Sequence, residues 1–321
     1  MRFSAVGLSV MALIVCTSSA LGQDYPSRAI RIVQPFETGG GTDFLARLLA
    51  KKLSEAVSQP VVVENRPGAG GTIGNALVAK AAPDGYTLLF SPGSIAVNVT
   101  LYPQLPYDTL RELAPISMIA NQPNVLAVHP SVPANSVREL LDWIRARPNQ
   151  VNYGSGGYGS ATHLAPELFR YLAKLDIVHV PFKGTGPAMA SAISGDVQIV
   201  FATVSAVMPH AKAGKLKPLA ITTDRRSVLF PELPTLDEAG VPGYEFTTWY
   251  GLLTTGGTPH AIVSRLNSEV SRIMTSSEVK EGLGKLGLEP MSSSPEKFAE
   301  YMKAEIEKWG KVIRAAGLKP A

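Results

Sequence analysis

The sequence is almost without cysteine. Its 321 residues hold one, Cys16, which excludes an internal disulfide, a cysteine-based zinc site and an iron–sulfur cluster. Charge is scarce as well. Only 17% of residues are Asp, Glu, Lys or Arg while 45% are hydrophobic, a balance that builds cores and does not suit a disordered chain. Lys and Arg exceed Asp and Glu by a formal +4, yet no basic run is longer than two residues, so no nucleic-acid partner is expected. No apolar run reaches the ~20 residues that span a bilayer.

Catalytic motifs are missing too. No serine sits in G-x-S-x-G, and neither a P-loop nor H-E-x-x-H occurs. The histidines, His129, His163, His179, His210 and His260, form no close pair along the chain. Isolated histidines are ordinarily surface or packing residues. His163 stands apart because it follows a glycine-rich loop on the first turn of an expected helix. No carboxylate pair stands out. No enzyme activity, catalytic residue, cofactor or metal is expected.

What is present begins with a leader. Arg2 precedes a mostly apolar stretch, Phe3 to Cys16, and then Ala20-Leu21-Gly22. This is the n-region, h-region and small-x-small site of a secretory signal, expected to be cut after Gly22. An uncleaved anchor and a lipoprotein signal using Cys16 are the alternatives. Bulky Val15 just before Cys16 speaks against the second. An exported chain left without cysteine points to a bacterial periplasm.

Strands and helices then alternate. Ile30–Val33, Val61–Val63 and Tyr86–Phe90 read as β-branched or apolar strands. A helix follows Thr42, read as its N-cap, with Phe44, Leu45, Leu48, Leu49, Leu53 and Val57 at helical spacing. A short helix is expected over Asn75–Ala82. Further strands are expected at Val125–Val128, Val151–Tyr153, Ile177–Val180, Val197–Phe201, Pro218–Thr222 and Tyr244–Leu253. Helices are expected at Ser136–Arg147 and Ala161–Leu175. The tail reads as two helices, one opening at Thr258-Pro259. The other opens at Ser294-Pro295, with Phe298, Met302, Ile306, Trp309 and Ile313 inward and Gly317 as the stop. This is an α/β pattern with a mainly parallel sheet. The length allows about two domains at ~100–200 residues each. No linker divides the chain, so two lobes must be joined by crossing strands. Ile119–Val128 and Tyr244–Leu253 are the candidates. The expected division is a signal over 1–22, a first lobe over 23–123 and 246–321, and a second lobe over 124–245.

Three loops follow strands and open helices: Phe36–Asp43, Ser91–Ser94 and Ser155–His163. All are rich in Gly, Ser and Thr. Free N–H groups, hydroxyls and a helix dipole suit a carboxylate without Arg or Lys. Gly154-Ser155-Gly156-Gly157-Tyr158-Gly159 has the form of a dinucleotide fingerprint. The acid that should follow, Asp176, stands at the wrong end of its strand, so NAD is not expected.

At these residues a resemblance appears. Tyr25-Pro26-Ser27-Arg28, then Pro35-Phe36 with Gly39-Gly40-Gly41-Thr42-Asp43, then Val63 to Gly71 and Ala82 to Leu88, resemble the tripartite tricarboxylate transporter receptors, or Bug-type solute-binding proteins. The likeness continues through Leu105-Pro106-Tyr107-Asp108, Val178 to Gly184, Ala213-Gly214-Lys215-Leu216, Leu233 to Gly240 and Glu307-Lys308-Trp309, nearly the whole chain in order. It implies a periplasmic receptor of the two-lobed, type II periplasmic-binding-protein-like fold. Ligand is held between closing lobes and passed to membrane permease subunits. A sensor docking on a membrane signalling protein is the alternative, and an exported α/β enzyme the more remote one. The resemblance also implies that the first and third loops grip one carboxylate through backbone N–H groups and waters.

The expected ligand contacts are Phe36, Glu37, Gly39, Gly40, Gly41, Thr42 and Asp43 in the first loop and Ser91, Gly93 and Ser94 in the second. Ser155, Gly156, Gly157, Gly159, Ser160 and His163 follow in the third, with Lys183, Ala202 and Thr203 beyond. Two departures bear on the ligand. Glu37-Thr38 stands where the family usually has Pro-Pro, and Ala202 where many members have Asp. Together they favour a ligand with one carboxylate, or an amide, over citrate. A monomer is expected.

Overall fold

The structure is a computed structural model. It describes residues 25–318 except 39, 40, 103, 183, 228 and 229, so the expected signal, its cleavage after Gly22 and Cys16 lie outside the described residues.

The chain runs through β1 (Ile30–Gln34), α1 (Gly41–Val57), β2 (Val61–Asn65), a 3-10 turn (Ala69–Gly71), α2 (Thr72–Ala79), β3 (Thr87–Pro92) and α3 (Ser94–Leu101). It then crosses on β4 (Leu113–Val128) and builds α4 (Val137–Arg145), β5 (Asn152–Ser155), α5 (Ala161–Ala173), β6 (Val178–Pro181) and α6 (Thr185–Ser194). β7 (Ile199–Thr203), α7 (Val204–Lys212) and β8 (Lys217–Ile221) follow. The return is β9 (Thr247–Thr255), α8 (His260–Thr275), α9 (Ser277–Gly284), the short β10 (Glu289–Pro290) and α10 (Pro295–Ala316).

The strand order is β2-β1-β3-β9-β4-β7-β5-β6, with β8 and β10 also on β4. The flanking pairs β1–β2, β1–β3, β5–β6 and β5–β7 are parallel. The central pairs of β9 with β3 and β4, and of β4 with β7 and β8, are antiparallel. The architecture is α/β as expected, and the sheet is mixed. Alternation of elements along the chain predicts the parallel flanks. It cannot show that β9, arriving from far along the chain, runs antiparallel between β3 and β4.

β4 joins the two halves. Through Pro123 it pairs with β9, and from Asn124 it pairs with β7. The expected crossing strand at Ile119–Val128 is the end of this longer element. Pro115 and Pro123 hide it in the sequence, because proline removes a ladder donor. The register shifts beside Pro115 and again beyond Met118. The strand expected from Tyr244 starts instead at Thr247. Tyr244 is buried, and its hydroxyl donates to the Ala165 carbonyl at 2.9 Å.

Both faces of both sheet halves are covered, which explains the apolar strands. Successive strand residues point to opposite faces. Ile30 and Ile32 meet Leu45, Leu49 and Leu266 on one face, while Val33 meets Val78, Phe298 and Met302 on the other. In the second half Leu126 and Val128 face Phe169 and Phe201, while Val125 and Ala127 face Met189 and Val207.

α10 reads as expected. Ser294 Oγ accepts from Lys297 N at 3.3 Å, Pro295 opens the helix, and Gly317 ends it at φ 64°. Phe298 and Met302 pack into the first half, and Trp309, Val312 and Ile313 into the second. One helix thus reaches both cores. The helix expected to open at Ser91–Ser94 is α3, whose extent the sequence reading did not give, and α6, α7 and α9 have no counterpart in it. α3 is β-branched and intrinsically a poor helix, and tertiary packing overrides that weak preference. Among the described residues no helix is long and apolar enough to cross a membrane.

Candidate ligand-binding site

A cavity of about 360 Å³ lies at the entry to β9, whose lining residues Thr247 and Thr248 pair with Pro123 and Gln122 where β4 crosses between the halves. Its wall includes Thr42 at the start of α1, Gly93 and Ser94 at the start of α3, Ser160 and Ala161 at the start of α5, and Thr185 at the start of α6. Four helix beginnings therefore border one space. The first N–H groups of a helix have no intrahelical acceptor, and the helix dipole gives them partial positive charge. The opposite wall is aromatic, with Phe36, Phe246, Trp249, Tyr250 and Trp309, and includes the buried carboxylate of Glu305.

The β5–α5 loop is held in shape by its own side chains. Gly156 N–H donates to Thr162 Oγ1 at 2.7 Å, and Ser160 Oγ donates to the Gly157 carbonyl at 2.7 Å. Gly157 and Gly159 have φ of 111° and 73°, which favours glycine there. Gly159 N–H donates to His163 Nδ1 at 3.1 Å, which leaves the ring proton on Nε2. Ser155 Oγ meets His179 Nε2 at 2.6 Å. Burial pushes His163 down to about 3, helped by His179 and Arg170. His179 is lowered too, chiefly by burial.

Of the expected contacts, Phe36, Thr42, Gly93, Ser94, Gly159 and Ser160 border the cavity. Gly41 lies beside it, since a Cβ there would stand 3.6 Å from the Tyr250 hydroxyl. Ser94 Oγ is buried without a hydrogen-bond partner among the described residues. Ser155, Gly156, Gly157 and His163 sit behind the surface and support the loop. Thr42 is the second residue of α1 rather than its cap.

Other expected contacts stand elsewhere. Asp43 is buried, receives Arg47 Nε at 3.0 Å and Asn65 Nδ2 at 2.9 Å, and ties the first loop to β2. Ser91 is a buried strand residue whose hydroxyl donates to the Pro92 carbonyl. Glu37 is exposed and does not line the cavity. Ala202 is buried in the core of the second half, on β7 opposite Val125. Thr203 caps the start of α7 beside Ser205. Gly39, Gly40 and Lys183 lie outside the described residues.

Sequence reading missed Thr185, Phe246, Trp249, Tyr250 and Glu305, and took Trp309 for a core residue only. They come from the start of α6, the entry to β9 and the middle of α10. No local pattern marks them as neighbours. Burial pushes the Tyr250 hydroxyl up to about 12, and it donates to Gln122 Oε1 at 3.1 Å.

The mixed α/β fold with a cavity at the crossing is periplasmic-binding-protein-like. A family model described as the tripartite tricarboxylate transporter family receptor, TctC, matches residues 45–318, and the chain belongs to this receptor family. Protein BugT of Bordetella pertussis is 36% identical over 97% of this chain and 98% of its own length. The solved structure of R. palustris Rpa4515 with adipate is similar at a TM-score of 0.79 and 38% identity, covering 93% of this chain and 100% of that one. MatC (Rpa3494) from Rhodopseudomonas palustris with bound malate is similar at a TM-score of 0.74 and 32% identity, covering 90% and 100%.

Proposed function

We propose that this receptor binds a small carboxylic acid in the cavity at the β4 crossing and delivers it to the membrane subunits of a tripartite tricarboxylate-type transporter. The observation that carries this reading is the meeting of four helix starts on one cavity. Unpaired backbone N–H groups in a partly desolvated site suit a carboxylate without lysine or arginine. Phe36, Thr42, Gly93, Ser94, Gly159, Ser160 and Thr185 are the contacts assigned to the ligand. Gly41 opens α1 beside them. The adipate and malate of the two similar structures support a carboxylate. Glu37 and Ala202, which favoured a single carboxylate or an amide, do not line the cavity, so neither residue argues any longer against a second carboxylate.

In this reading residues 23–123 and 246–321 form one lobe and 124–245 the other. The change of partner along β4 after Pro123 supports that boundary. The lobes close on the ligand, and the chain acts as a periplasmic monomer after cleavage behind Gly22. It works without a catalytic step.

A thermal-shift panel of mono-, di- and tricarboxylates, aromatic acids and amides tests the reading. A ligand that binds only the folded state at a hundred times its Kd adds about 2.7 kcal/mol. The same ligand should lower the radius of gyration by closing the lobes. No shift with any member of the panel would overturn the receptor reading. An unchanged radius at saturation would overturn closure alone.

A further inference from the structure

Glu305 joins the two halves of the molecule at the wall of the cavity. Its Oε2 accepts the indole N–H of Trp249 at 3.1 Å and that of Trp309 at 3.2 Å. Its Oε1 pairs with Lys308. The two indoles belong to different cores. Trp249 meets Phe298 edge-on at 5.6 Å in the first half, and Trp309 meets Phe246 edge-on at 5.7 Å in the second. Lys308 also donates to the Glu245 carbonyl at 3.4 Å, two residues before β9 begins. Both indoles, Phe246 and Glu305 face the cavity.

A buried carboxylate is an expensive way to gain stability, since a well-packed apolar residue of similar volume often does as well. It does supply one oxygen that receives two charge-assisted N–H bonds, and so holds two large flat side chains at a set separation. A binding wall that is already ordered spares the ligand the cost of ordering it. α10 gives the node a firm base, because its two ends are packed into the two cores.

We propose that Glu305 is a positioning residue for the ligand, locking Trp249 and Trp309 into one rigid floor and making residues 305–309 the fixed point about which the halves move. The proposal rests on the reading of this cavity as the ligand site. It assigns Glu305 no direct contact with the ligand.

The three tryptophans provide the test, because Trp143 lies on α4 and does not line the cavity. Indole N–H signals of the 15N-labelled full chain are compared with those of Glu305→Gln, with Trp143 as internal reference. The Trp249 and Trp309 signals should shift and exchange faster, and that of Trp143 should stay. The probe for affinity is whichever of adipate, malate, hexanoate and benzoate gives the largest thermal shift. Its Kd should rise about tenfold or more, on the order of one charge-assisted hydrogen bond. Asn267→Ala controls for general loss of stability. Asn267 Nδ2 donates to the carbonyls of Ile116 and Ser293, both at 2.7 Å and away from the cavity. It should lower Tm and leave the Kd and the indole signals in place.

An unchanged Kd in folded Glu305→Gln, or an equal rise in Kd in Asn267→Ala, would overturn the proposal. If Glu305→Gln does not fold, Trp309→Phe removes one donor only. A Trp249 signal that does not move in that variant also overturns it. Binding of none of the four probes, and of no other member of the thermal-shift panel, by the unmodified chain is a different result. It removes the receptor reading itself, and the role of Glu305 with it, whatever the indole signals do.

Discussion

His163 and His179 stack ring on ring beneath the β5–α5 loop, with centroids 4.2 Å apart and planes 28° apart. Tyr153 extends the stack under His179 at 4.9 Å, and Tyr158 stands edge-on to both histidines. The loop's Gly159 N–H is received by His163 Nδ1, so its conformation depends on a neutral ring.

A pH dependence follows from the depressed His163. In the unfolded chain the ring titrates near about 6.5, and in the folded chain burial holds it at about 3. Between those values the unfolded state carries a proton that the folded state lacks. The contribution of neutral His163 is therefore complete above about pH 6.5 and is lost as pH falls, by about 1.4 kcal/mol per unit. Calorimetry from pH 8 to 4 should show Tm level at first and falling below about 6.5. His163→Gln should flatten that fall. Equal slopes in the two proteins would show that the ring is not held neutral.

Ligand affinity should behave differently from stability. The His163 ring stays neutral in the folded protein well below pH 5, so its hold on Gly159 is unchanged there. Isothermal titration with a bound carboxylate should give a Kd that varies little between pH 5 and 8. A loss of affinity centred near pH 6.5 would mean that the histidine pair titrates in the folded state.

Gly93 has an ordinary helical φ of −55°, so its backbone does not require glycine. Its surroundings do. An added Cβ would stand 2.8 Å from Trp249 Nε1 and 3.0 Å from Cε2. The indole is flat and is held by Glu305 and Phe298, so it cannot yield cheaply. Gly93→Ala should cost about 1–3 kcal/mol in urea unfolding, the usual range for overpacking, and weaken ligand binding. Wild-type values of both would mean that the indole wall is adaptable.

Ser94 and Phe298 should separate binding from stability. Ser94 Oγ is buried without a partner among the described residues, so Ser94→Ala removes an unsatisfied group. The free protein should be as stable as before, while a carboxylate binds about tenfold more weakly. Phe298 is fully buried beside Trp249. Phe298→Ala should cost about 3–5 kcal/mol of stability, as an aromatic truncation that leaves a cavity. Denaturant unfolding and titration calorimetry on the two variants distinguish these effects. A large loss of stability from Ser94→Ala would mean that its hydroxyl is bonded in the free protein.

Much of this was legible along the chain. Period-two and continuous apolar runs marked the flanking strands, and 3.6-residue spacing with a serine cap and terminal glycine marked α10. These are local signals, set by which face of an element is covered. The opening of α3 at Ser94 was legible but its extent was not, because β-branched Ile95, Val97 and Thr100 disfavour helix until packing decides. β4 was only half legible, because two prolines interrupt it. The glycine-rich loops stood out for their N–H groups, and three of them do border the cavity. The choice of side chains within them was less sure. Asp43, Ser91 and His163 have the right chemistry, yet the fold turns Ser91 and His163 toward its own backbone and Asp43 toward Arg47 and Asn65.

The sequence by itself determined the α/β pattern, the helix-opening loops and the family. Each depends on residues that are neighbours along the chain or on one face of one element. The tertiary structure alone decided the other wall of the cavity. Thr185, Trp249 and Glu305 are 120 positions apart from first to last, and they meet only because β4 and β9 lie antiparallel and α10 reaches both cores. Such contacts follow from strand pairing and side-chain packing across long loops, which no local periodicity records. For the same reason Glu37 and Ala202, prominent in the sequence, do not line the cavity, and Glu305, unremarked in the sequence, does.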